Sequence, residues 1–142
     1  MPRAPNILRG VETRRLYKFE RMFMQDNAFR PRPLKDLRAI AANVWSKHGR
    51  KGLPCPSVGF TRRVKYSYCV GFSKIRITRR ADTHEGLRHD TIDVLLHELV
   101  HAMGYGTHGR GFVRKYVDLL VEYAGCEEGE LRLGMAMFNI KF

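Results

Sequence analysis

Residues 90–104, DTIDVLLHELVHAMG, constrain this chain more than any other stretch. Ile92, Leu95, Leu96, Leu99 and Val100 recur at the three-and-four spacing of one helix face, which predicts an amphipathic helix with a broad side to bury. Asp90 is expected to cap its N-terminus and Asp93 to place negative charge in the first turn, where the helix dipole favours it. Gly104 suits the position just past the C-terminus, where a left-handed residue closes the last turn. Such a helix needs partners to cover it. A chain of 142 residues is long enough to supply them within one domain.

The remaining sequence offers those partners. No repeat, low-complexity tract or linker divides it, so it reads as a basic tail (1–10) and one domain (11–142). In VETRRLYKFERMFMQ, Leu16, Phe19 and Phe23 recur at helical spacing, and the PRP at 31–33 interrupts the run. LKDLRAIAANVWSKHG puts Leu34, Leu37, Ala41, Val44 and Trp45 on one stripe, with Gly49 as the stop. VGF, VKYSYCVGF and SKIRITRR are rich in β-branched and aromatic residues, and Ile75 and Ile77 alternate with Lys74, Arg76 and Thr78. Residues 57–79 are therefore expected to form a small antiparallel sheet. FVRKYVDLLVEYAG predicts a second amphipathic helix burying Phe112, Tyr116, Val117 and Leu120, with Tyr123 at its margin and Gly125 at its end. EEGELRLGMAMFNIKF reads as a short helix with an apolar extended tail. The fold class is α+β.

Composition narrows the setting. Cys55, Cys69 and Cys126 are widely spaced and form no CxxC pair, which excludes a zinc ribbon and a thioredoxin-type site and fits free thiols in a reducing compartment. No apolar run could span a membrane and MPRAPNILRG has no signal-peptide core, so the expectation is a cytoplasmic protein with no membrane partner. Charge is uneven. Residues 1–90 hold 21 of the 26 Lys and Arg but 7 of the 14 acids, a balance of +14 against −2 for 91–142. That surface favours nucleic acid or another acidic partner, although no nucleic-acid-binding motif accompanies it.

The same helix that needs burial carries HELVH. Positions i and i+4 stand one above the other on a helix, so His97 and His101 present their rings on one side, as two imidazoles on one metal must. Glu98 sits about 100° further round the 3.6-residue turn, where a carboxylate can hold and deprotonate water beside a metal. His108 follows across a loop containing Gly104, Gly106 and Gly109, flexible enough to bring a third imidazole back. Random placement of the six His and eight Glu gives HExxH in roughly one such sequence in seventy. Coincidence on the best-formed helix, with a histidine following, is the weaker reading.

HELVHA followed by HGRGF resembles the SprT-like zincin metallopeptidases, including small phage and bacterial members. The resemblance covers about residues 91–124. It implies a zincin-like domain with N-terminal helices, the sheet, the HExxH helix and a following helix. It further implies Zn²⁺ on His97, His101 and His108, Glu98 as general base, Phe112 as a buried anchor, and a protein or peptide substrate. The bacterial or phage-infected cell, or a virion, would be its setting. Two features depart from that group: the cysteine-rich ribbon of the larger relatives is missing, and the loop before His108 is short. The metzincin pattern HExxHxxGxxH is approached through Gly104, but Thr107 takes the third-ligand place and His108 comes one residue late.

Other residues compete for roles. Glu122 on the second helix is the alternative third ligand, as in gluzincins. His84 and His89 lie in the polar loop with Asp82 and read as solvated; His48 reads as a helix-end residue that offsets the dipole. Tyr105 is either an oxyanion stabiliser or a loop-packing aromatic, and Met135 and Met137 either a methionine turn or plain core. SKIRITRR is expected at a sheet edge, open to an extended substrate, with arginines favouring acidic or nucleic-acid-associated ones. The rival to a peptidase is a zincin-like binding or assembly part, in a virion or on nucleic acid, with little turnover.

Overall fold

The computed structural model describes residues 11–22, 29–83 and 87–141. The basic tail, Phe23 and His84 therefore lie outside the described residues. Five helices and three strands follow in the order α1 (Val11–Met22), α2 (Leu34–His48), β1 (Ser57–Thr61), β2 (Tyr68–Val70), β3 (Lys74–Thr78), α3 (Ile92–Ala102), α4 (Arg110–Ala124) and α5 (Glu128–Met137). This is an α+β fold with one main core, and among the described residues no helix is long and apolar enough to cross a membrane.

The apolar face of α3 sits at the centre. Leu95, Leu96, Leu99 and Val100 are fully buried against α2, α4 and the sheet. Each side chain of that kind contributes about 1.5–3 kcal/mol when removed from water, which is why the most periodic segment becomes the hub. Leu16 and Phe19 of α1, Leu37, Ala41 and Val44 of α2, and Phe112, Tyr116, Val117 and Leu120 of α4 close around it. Gly104 and Gly125 follow α3 and α4 in the left-handed region, with φ of 110° and 71°. Gly49 is extended and needed for another reason: a Cβ there would stand 2.5 Å from the Trp45 ring.

The start of α3 departs from expectation. Thr91, not Asp90, occupies the cap position and makes no side-chain cap hydrogen bond. Asp90 instead accepts from Arg88 at 3.0 and 2.7 Å, and its carbonyl accepts from the Arg32 backbone N–H. A bidentate arginine outcompetes a single backbone donor for the same carboxylate. Asp93 does lie in the first turn, but buried, and desolvation pushes its carboxyl up to about 6.

The sheet is mixed rather than antiparallel. Its order is β1-β3-β2, with β1 parallel to β3 and β2 antiparallel to β3. Alternation within a strand cannot report strand order, and residues 62–67 carry the chain across before β2 begins. The end of β3 pins that crossing: Thr78 donates through Oγ1 to the Val64 carbonyl at 2.7 Å and through its backbone N–H to Ser67 Oγ at 3.0 Å. SKIRITRR is thus central, its backbone engaged on both sides, and cannot accept a further strand. Ile75 and Ile77 face the core; Arg76 lies on the opposite face, its guanidinium donating to the Ser57 carbonyl. β1 and β2 are the edges, and β2 packs beside α3.

Candidate metal centre

Three imidazoles converge where α3, its C-terminal loop and the start of α4 meet. His97 and His101 come from one face of α3, and His108 is brought over them by the Gly104–Gly109 loop. Nε2 of His108 lies 3.1 Å from Nε2 of His97 and 3.1 Å from Nε2 of His101. Phe112, buried in the first turn of α4, packs at ring-centroid distances of 4.7–4.8 Å from all three. It is the floor that holds the rings at fixed tilt.

The other nitrogen of each ring is engaged. His97 Nδ1 lies 3.2 Å from the Glu20 carboxylate of α1, which also accepts from the Tyr116 hydroxyl at 2.8 Å. His101 Nδ1 lies 2.7 Å from the Tyr105 carbonyl, and His108 Nδ1 lies 3.0 Å from Thr13 Oγ1. A carbonyl only accepts, so His101 carries its proton on Nδ1, and the Glu20 carboxylate imposes the same tautomer on His97. Their Nε2 lone pairs then face Nε2 of His108. Burial, then the neighbouring imidazoles, hold the other two rings neutral: His101 is pushed down to about 4 and His108 to about 2.

Three imidazole nitrogens gathered this closely can serve one cation as a shared set of ligands. A tetrahedral zinc with nitrogens at about 2.0–2.1 Å separates them by about 3.3 Å, close to the two separations measured from His108. Locking each ligand through its far nitrogen is also the outer-shell pattern of metal histidines. The three histidines are close enough to bind a metal ion.

Glu98 is buried, with 5% exposure, and borders two spaces. One is an open cleft of about 430 Å³ that it shares with His101, His108, Tyr17, Tyr68, Cys69, Phe72 and Thr107. The other is a much smaller pocket of about 30 Å³, shared with Glu20, His89, Asp93 and His97. Cys69 is a near neighbour of Glu98: its thiol is pushed up to about 12, first by burial and then by that carboxylate. Such a thiol is inert as a nucleophile.

The remaining candidates fall elsewhere. Glu122 is on the surface, bonded to Lys47 at 2.7 Å and His48 at 2.9 Å, so it is not among the converging donors. His89 is buried rather than solvated, bonded to Ser67 Oγ at 2.8 Å behind the cluster. Tyr105 lies against Gly111, where a Cβ would come within 3.1 Å of its ring, and packs the loop. Met135 is core, and Met137 is 75% exposed. Sequence reasoning missed Glu20, Thr13 and Tyr116, which act on residues 77 to 96 positions away. The one available signal was Glu20 itself, an acid flanking the apolar stripe of α1.

Compared with known proteins, the chain matches no family model, no curated protein and no solved structure, so the arrangement stands on its own geometry.

Proposed function

We propose that this protein is a zinc-dependent metallopeptidase, with Zn²⁺ held by His97, His101 and His108 and with Glu98 as general base. The observation that carries the reading is the buried Glu98 carboxylate, set beside three converging imidazole Nε2 atoms on the wall of an open cleft. A structural zinc site has no use for such an acid, nor for a cleft beside it.

Bound there by His97, His101 and His108, zinc would supply Lewis-acid polarisation of a peptide carbonyl and a lowered pKa for the attacking water. Glu98 would take a proton from the attacking water and return it to the leaving amine. Glu20 keeps His97 in the tautomer that leaves Nε2 available. β2 replaces β3 as the edge to which an extended peptide adds, since its Tyr68 and Cys69 line the cleft. The basic residues of 1–90 suit a nucleic-acid-associated substrate, a separate proposal checked by DNA binding that weakens steeply between low and physiological salt.

Glu98→Gln tests the reading, because it keeps shape and removes the base. Hydrolysis of an unfolded protein substrate should fall by at least ~10²-fold with zinc content unchanged. A variant as fast as wild type removes Glu98 from the mechanism. If neither protein cleaves while both bind zinc, the binding or assembly role replaces the peptidase.

A further inference from the structure

We propose that Arg50, stacked on Phe72 at the rim of the cleft, forms a subsite for a substrate carboxylate. The proposal rests on the peptidase reading and names the class of peptide it takes. Phe72 and Gly104 line the cleft together with Glu98, His101 and His108. Arg50, just beyond the end of α2, reaches the same rim. Its guanidinium carbon lies 4.6 Å from the centroid of the Phe72 ring, and one terminal nitrogen lies 3.5 Å from where a Cβ on Gly104 would stand. With φ of 110°, position 104 disfavours any side chain, so none intervenes between the guanidinium and the cleft.

Two features mark this as a place for a ligand. Phe72 is 43% exposed, an aromatic face that folding leaves in water beside the candidate site. Arg50 is an exposed cation that, among the described residues, pairs with no carboxylate. A guanidinium stacked on a ring keeps its edge N–H groups outward, and that edge matches a carboxylate in bidentate fashion. The stacking also fixes the long side chain before any ligand arrives, lowering the entropy lost on binding.

The probes are amidated peptide hydroxamates, which anchor on the metal whether or not the protein turns over. Pairs differ only by Glu or Gln at one position, moved stepwise away from the anchor on either side. A further pair compares a free with an amidated C-terminus, separating side-chain from terminal carboxylates. Binding is measured by calorimetry to zinc-loaded wild type, Arg50→Gln and Arg50→Glu. At one position, or for the free terminus, wild type should prefer the carboxylate by about tenfold, as a hydrogen bond to a charged group supplies. Arg50→Gln should bring that ratio to about one, and Arg50→Glu should favour a Lys-containing peptide.

A preference that survives Arg50→Gln, or no preference anywhere, overturns the subsite. So does a lowered melting temperature in Arg50→Gln with an unchanged ratio, which would leave Arg50 serving only the C-terminal end of α3. Failure of the peptidase reading looks different: the matching peptides go uncleaved while the hydroxamates bind with their Glu preference intact.

Discussion

His48 with Glu122 and His97 with Glu20 are two histidine–glutamate pairs of similar chemistry in opposite surroundings. The first lies on the surface between α2 and α4, at 2.9 Å, with Lys47 sharing the carboxylate and the Lys115 ammonium on the other ring nitrogen. The second lies in the interior at 3.2 Å, where the Tyr116 hydroxyl shares the carboxylate and the other ring nitrogen faces His108. Hydrogen bonds to Lys47 and His48 hold the Glu122 carboxyl down to about 2, yet water screens that pair and can replace it. Nothing replaces Glu20. Its loss would leave a buried imidazole free to change tautomer and turn its lone pair away from the cluster. The same residue types thus tether a helix end in one place and orient a candidate metal ligand in the other.

The strongest way to break the buried arrangement is to remove a ligand from it. His101→Ala should abolish stoichiometric zinc binding, peptide hydrolysis and the rise in melting temperature that zinc gives wild type. Metal analysis and thermal melts with and without zinc check this, and one tightly held zinc in the variant would mean the donor set is wrong. Glu20→Gln should keep the cluster but weaken zinc about 10–100-fold, the usual cost of losing an outer-shell partner, as read by chelator competition. An unchanged affinity would reduce Glu20 to a packing residue.

Much of this contrast was invisible in sequence, for physical reasons. Local signals were legible: the three-and-four spacing placed α3 and α4, Gly104 and Gly125 marked their ends, and HExxH with His108 marked the three histidines that converge. Those features depend on neighbours within a turn or two. Glu20 and His97 are 77 residues apart, and nothing local to Glu20 says which residue it meets. The same limit hid the parallel pairing of β1 with β3, the central place of SKIRITRR and the burial of His89 against Ser67. Asp90 failed as a cap because a charged donor two residues away competed for it.

Two smaller effects sharpen the comparison. His101 and His108 have folded pKa values below that of an unfolded histidine, so between those values the unfolded chain binds more protons. Stability of the metal-free protein should therefore hold above about pH 6.5 and fall as pH drops from there toward 4, with a shallower slope in His101→Ala. Denaturant melts at pH 7.5 and 5 measure it, and equal slopes would mean these rings are not buried neutral. At the surface pair, Glu122→Gln should leave zinc affinity within about twofold and shift the melting temperature only slightly. A large loss of metal from that variant would restore Glu122 as a ligand.

X-ray absorption at the zinc edge of the protein loaded with one equivalent tests the central claim most directly. Three imidazole nitrogens at about 2.0–2.1 Å, with one light-atom ligand completing the shell, are expected from His97, His101 and His108. A sulfur shell at about 2.3 Å, fewer than three imidazoles, or failure to take up zinc would contradict it.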